Sequence, residues 1–310
     1  MSQTPIRAPQ KATMPRTLAP GQRARIHTID VTAGATRLVH ESTEVLYEAP
    51  NWTLDGKWLI VNGDGVLFRL PADGSVDPEP IEIPGIPPLN NDHVLDPDGV
   101  HVFVSAEDGH IYRAPLAGGE AVRVTSEDGL LHFLHGVSPD GGTLAYVGVV
   151  TEPGGAWHAP NLFTIPADGG ASVQLTDDEF GDDGAEFSPG GGWIYFNTER
   201  PLTGPPRAAG HAQLARMGPD GSGAEQLTHD ERVNWFPHPS PDGARLAYVS
   251  FPPGTVGHPA DRDVIVRVCG PRGEDVTDLV NVLGGQGTMN VPSWSPDSTR
   301  IAYVDYPVGT

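Results

Sequence analysis

Three histidines occupy matching places in this chain. His93 and His135 each lie three residues before a four-residue turn phrase, and His238 lies two residues before another. Imidazoles from separate stretches, joined by the side-chain carbonyl of Gln286, would suit one divalent cation such as manganese, zinc or calcium. In a lyase that cation would acidify a carbon-bound proton beside a carboxylate, with a histidine or Arg200 as base. A hydrolase needs paired carboxylates instead, and Asp183 and Glu186 are candidates, although they share one stretch. Asn234, Trp235 and Asn290 add amides and an indole. His258 tips an insertion rich in Pro and Gly, residues 252–261, that reads as a lid or equally as a plain surface loop. This mixture also suits a small polar ligand such as a sugar. Ligands drawn from separate elements leave no spacing signature, so the same imidazoles read more readily as groups that only hydrogen-bond between strands.

The turn phrase identifies the elements that must position these residues. Its copies are Thr53-Leu54-Asp55-Gly56, Asp96-Pro97-Asp98-Gly99, Ser138-Pro139-Asp140-Gly141, Ser188-Pro189-Gly190-Gly191, Ser240-Pro241-Asp242-Gly243 and Ser295-Pro296-Asp297-Ser298. Pro presets φ, Asp bonds back to the backbone and Gly accepts positive φ, so each copy makes a tight hairpin. Apolar runs such as Leu144–Val147 and Leu246–Val249 follow the turns as buried strands. A second hairpin follows most of the first, as at Ala72-Asp73-Gly74 and Ala167-Asp168-Gly169-Gly170. Two hairpins per unit, repeated about every 42 to 55 residues, spell the blades of a β-propeller. The expectation is an all-β, six-bladed propeller of four-stranded blades. The sixth unit lacks its outer hairpin, while an orphan hairpin appears at Arg25–Asp30 and Thr36–His40. Outer strands from the N-terminal region are therefore expected to pair with the C-terminal inner hairpin and close the ring.

These repeats resemble the TolB-like, WD40-like (PD40) propeller family from about Arg25 to Tyr306. TolB itself is exported and has a further N-terminal domain, so its periplasmic Pal-binding role is not expected here. Oligogalacturonate lyases are a precedent for the metal reading, being propellers with similar turns and a manganese site of His and Gln. They have seven blades. The resemblance implies a binding module for a small ligand or a protein partner, with a metal-assisted carbohydrate-active enzyme as the alternative.

Both hairpin tips of a blade fall at one end of such a ring. The long connections therefore share the other end: 151–160, 199–210, 251–262 and 278–289. Binding residues concentrate on long loops carried by a rigid scaffold. His93, His135, Asp183, Glu186, Asn234, Trp235, His238, His258, Gln286 and Asn290 are accordingly expected around the channel mouth. The acidic run 177–184 reads as a solvated loop or a calcium site, and its spacing is not that of an EF-hand.

Residues 1–21 carry Pro5, Pro9, Pro15 and Pro20 and read as a disordered tail, leaving 22–310 as one propeller. That tail has no apolar segment of the signal-peptide kind, so a cytoplasmic monomer is expected. With 19 basic and 40 acidic side chains the formal charge is −21, which disfavours nucleic acid and anionic membranes. The lone Cys269 reads as a buried thiol. No Gly-x-Ser-x-Gly elbow or phosphate loop is present.

Overall fold

The computed structural model describes residues 16–151, 157–204 and 208–309. Every regular element among them is a β-strand, and no helix is long and apolar enough to cross a membrane. The strands form six antiparallel sheets arranged as a propeller. The first five blades have inner strands Tyr47–Trp52, Leu89–Leu95, Leu130–Val137, Asp182–Phe187 and Val233–Pro239.

The turn phrase works as its chemistry predicts. In blade three Ser138 Oγ donates to Asp140 Oδ1 at 2.6 Å and accepts from Thr143 N at 2.9 Å, while Gly141 N donates to Ser138 O at 2.8 Å. Gly141 sits at φ 73°, the left-handed region that favours glycine. Ser240 with Asp242 and Ser295 with Asp297 repeat the 2.6 Å bond. The strand after each turn is buried almost throughout. Neighbouring blades share its side chains: Ala145, Val147 and Leu162 of blade three pack with Ala185, Phe196 and Met217 of blade four. Each fully buried aliphatic side chain of this kind stabilises the fold by about 1.5–3 kcal/mol.

Ring closure follows the expected exchange of ends. Ala24–Asp30 pairs with Arg300–Asp305 in an unbroken register from Arg25↔Asp305 to Asp30↔Arg300, and Thr36–Ser42 lies outside it. Arg25 binds Asp305 through two hydrogen bonds, of 2.9 and 2.6 Å. Ala24, Ile26, Ala302, Val304 and Tyr306 then pack against Tyr47, Leu59 and Val61 of blade one.

Two details differ from expectation. The inner position of blade six is an irregular segment joined to Arg300–Asp305 by an isolated bridge, Trp294↔Ile301, and by scattered backbone bonds such as Val304 N to the Thr288 carbonyl, so this sheet has three regular strands. Pro292 and Pro296 have no N–H for a ladder, and the Pro292 carbonyl instead accepts from Asn51 of blade one. The expected insertion 278–289 is mostly the strand Thr277–Gly284, which pairs along Arg262–Cys269 and leaves only 285–289 as a connection.

Candidate functional site

Each of the first five inner strands carries a register shift before its turn. The backbone has positive φ four residues before the turn in three of them: Ala49 at 53°, Gly184 at 68° and Phe236 at 58°. A bulge puts two residues against one and re-aims the side chains beside it. The residues five before the turn are Glu48, Asn91, Asp183, Trp235 and Asn290 in blades one, two, four, five and six. All five join the network at the channel mouth.

One chain of contacts passes through all six blades there. Asn91 Nδ2 reaches Glu48 Oε1 at 3.4 Å, and Gln286 Nε2 donates to Asn91 Oδ1 at 3.3 Å. Gln286 Oε1 takes Asn290 Nδ2 at 3.0 Å and His258 Nδ1 at 2.5 Å. His258 Nε2 lies 3.6 Å from Asp183 Oδ2, and His135 Nε2 lies 2.9 Å from Asp183 Oδ1. The His258 ring also packs on Trp235 at 4.6 Å and Phe236 at 5.0 Å between centroids. The blade-five insertion thus folds over the mouth with His258 inserted, as a lid would.

The electrostatics are those of buried charges. Burial opposes the charge on His135, but Asp183 and Asp92 overcome it and raise this imidazole to about 9. Burial pushes Asp183 upward, yet His135 and His258 prevail and hold its carboxyl well below the usual range. Burial dominates at Asp92, helped by the Asp183 charge and opposed by His135, and lifts it to about 6. Glu48 is raised to about 7 by burial, against the opposing pull of Arg16. Two carboxyl groups facing the same imidazole, Asp92 and Asp183, are therefore driven in opposite directions.

The expected metal set of His93, His135, His238 and Gln286 is not assembled. His238 uses both nitrogens, Nδ1 at 2.5 Å from Glu186 Oε2 and Nε2 at 3.0 Å from the Met289 carbonyl. His93 turns Nε2 to the Ile60 carbonyl at 3.3 Å, and burial lowers it to about 4. Gln286 is spent on His258, Asn290 and Asn91. These imidazoles pin neighbouring blades together, so the donors present do not fit a shared cation. Among the described residues the cluster within metal-binding reach is Asp96, Asp98 and His101. It lies on the blade-two turn, where Arg113 bridges both carboxylates at 2.7 and 2.8 Å.

Asn234 also lies outside the network. Its amide bonds Thr228, Asp230 and Gln213 and accepts from Ser250 Oγ at 2.7 Å, fastening blade five to blade four. In the acidic run, Arg200 pairs with Asp178 at 2.7 Å and Asp182 at 2.8 Å, so the guanidinium already supplies a cation there and is not poised as a base. Burial pushes the Cys269 thiol up to about 12.

Sequence reasoning missed Glu48, Tyr306 and Arg16. Arg16 Nη1 donates to Glu48 Oε1 at 2.7 Å and to the Gln286 carbonyl at 2.6 Å, and its guanidinium lies 5.1 Å over the Tyr306 ring. Residues 16–21, assigned to the tail, thus begin against the mouth; residues 1–15 of that tail lie outside the described residues. The offset of five from each turn was the signal that could have found Glu48.

Fold and site together define a TolB-like six-bladed propeller. No family model matches the sequence. The chain belongs to the same family as an uncharacterized protein of Agrobacterium fabrum, which is 37% identical over 288 residues, 92% of each chain. A solved structure from Agrobacterium tumefaciens, provisionally described as a TolB, superposes with a TM-score of 0.82 at 36% identity. That match covers 92% of this chain and 99% of the other. An oligogalacturonate lyase in complex with manganese shares the fold alone, with a TM-score of 0.54 and 15% identity over 86% of this chain and 73% of its own.

Proposed function

We propose that the protein is a ligand-binding propeller whose site is the polar mouth under the blade-five loop, and that it takes a small polar molecule such as a sugar. The observation that carries this reading is the continuous chain from Glu48 through Asn91, Gln286, His258 and Asp183 to His135. Buried charges are costly to desolvate, and apolar packing holds blades together elsewhere in this ring. A stability requirement alone therefore does not call for this cluster. Trp235 adds a buried indole whose N–H has no protein partner. Such rings and amides are the groups that recognise sugar faces and hydroxyls. Exposed large apolar side chains among the described residues are spread over all six blades, which favours a small ligand over a protein partner.

The test is calorimetry and thermal shift with monosaccharides, oligosaccharides, polyols and amino acids, on wild type and His258→Ala. His258 is partly exposed on a loop, so its loss spares the ring. The reading expects a ligand whose affinity falls at least tenfold in the variant. Absence of any bound ligand, or equal binding by His258→Ala, overturns it.

One observation favours a carbohydrate-active enzyme as the second reading. Asp92 and Asp183 are shifted in opposite directions, as a general acid and its anionic partner are, so Asp92 holds a proton in mildly acidic solution where Asp183 does not. Chromogenic glycosides with wild type and Asp92→Asn separate the two readings, because only an enzyme releases product and loses that release in the variant.

A further inference from the structure

We propose that the outer part of the mouth, formed by Glu48, the Gln286 carbonyl and Tyr306, is a subsite for a guanidinium or ammonium group, and that Arg16 occupies it in cis. The proposal rests on the ligand-binding reading above and names the chemical class that part of the site accepts.

The subsite is built from the ring, and its occupant is not. Glu48 belongs to blade one, Gln286 to the connection into blade six, and Tyr306 follows the closing strand Arg300–Asp305. Arg16 comes from a segment that joins no blade sheet. Its guanidinium receives what planar cations need: a carboxylate at 2.7 Å, a backbone carbonyl at 2.6 Å and an aromatic ring at 5.1 Å. The receptor side is deeply set, with 7% of the Glu48 side chain exposed, whereas 27% of Arg16 is exposed. Gly287, at φ 87°, completes the cradle, since a side chain there would collide with the Glu48 carboxylate and the Tyr306 hydroxyl. Tyr306 is itself held by its hydroxyl, which donates to the Tyr47 carbonyl at 3.0 Å.

Burial raises Glu48 to about 7 even against the pull of Arg16, so when that arm departs the carboxyl either takes up a proton or accepts another cation in its place. Asn91 and Gln286 join this subsite to the Asp183 cluster, and a net charge of −21 draws cations toward the protein.

The test uses n-butylguanidinium and its neutral shape analogue n-butylurea as calorimetric probes on the full chain. A tethered arm competes at an effective concentration of about millimolar or more. Arg16→Ala should therefore bind butylguanidinium at least tenfold more tightly than wild type, and Arg16→Ala/Glu48→Gln should lose at least tenfold of that. Arg16→Met, which keeps an apolar stem, should behave as Arg16→Ala does. Butylurea should bind none of them measurably. Equal butylguanidinium affinity in wild type and both Arg16 variants, retention after Glu48→Gln, or comparable butylurea binding overturns the subsite. If sugar binding still depends on His258 in that case, the ligand-binding reading survives and only the cation assignment fails. Cation binding that follows this pattern without any His258-dependent ligand supports the subsite and removes the sugar reading.

Discussion

Replacing Asp183 by Asn removes a charge while keeping the side chain's shape, and its effect can be worked out from the pair it makes. His135 Nε2 stands 2.9 Å from Asp183 Oδ1, with only 5% and 14% of the two side chains exposed. Despite burial, Asp183 and Asp92 raise His135 from 6.5 to about 9. At about 1.4 kcal/mol per tenfold change in proton affinity, that is about 3 kcal/mol of folding free energy. His135 keeps its proton in the folded state between pH 6.5 and 9, where the unfolded chain loses it. Its contribution is therefore complete below pH 6.5 and is lost as the pH rises through 9. Asp183, held below the usual range, gives the complementary limit: its contribution is present above its ordinary pKa of 3.8 and fades as pH falls. Both describe one interaction and are not additive. Asp183→Asn should destabilise the protein by about 3 kcal/mol at pH 6, within the range for breaking a buried pair. It should do little at pH 10, where His135 is neutral in the wild type as well. Urea unfolding at both pH values measures the difference, and proton NMR follows His135 directly. In the variant the imidazole should titrate far below 9, because burial then meets only Asp92. An equal destabilisation at both pH values, or a His135 that still titrates near 9, would refute the ion-pair assignment.

The remaining predictions concern the ring and its strain. His238→Ala removes the 2.5 Å partner of the buried Glu186 and the ring nitrogen that meets the Met289 carbonyl, and should destabilise the fold by about 1–3 kcal/mol; unchanged urea unfolding would show that this imidazole does not fasten blade five to its neighbours. Deleting residues 1–40 removes the strand paired to Arg300–Asp305 and should unfold or strongly destabilise the ring, whereas deleting 1–20 should leave a cooperative thermal transition; equal melting of the two truncations would contradict the closure. Ala49 holds φ 53° at the blade-one bulge, so Ala49→Gly should raise stability by about 0.5–1 kcal/mol, the left-handed penalty less the added chain entropy. Loss of stability in Ala49→Gly would show that the methyl group packs better than the backbone is strained.

Much of the architecture was legible in the chain because its causes are local. Ser138-Pro139-Asp140-Gly141 closes its own hairpin through bonds spanning two to five residues, so the turn phrase announces each blade wherever it occurs. The ends of the chain carried the closure, since a missing outer hairpin and an orphan one complement each other. The placement of His258 followed from the length and Pro/Gly content of its insertion. What the imidazoles do was not legible. His93, His135 and His238 look alike at their turns, yet one faces the Ile60 carbonyl, one an aspartate and one a glutamate with a carbonyl. Their partners lie 33 to 52 residues away, and bulges decide which face each ring takes. Arg16 was unreadable for the same reason: Gln286 is 270 residues distant in sequence. Turns are written in neighbouring residues, and the sequence alone therefore determined a six-bladed ring closed by its own ends. Only the folded ring decided which charges meet at its centre, because those pairings depend on side chains brought together from all six blades.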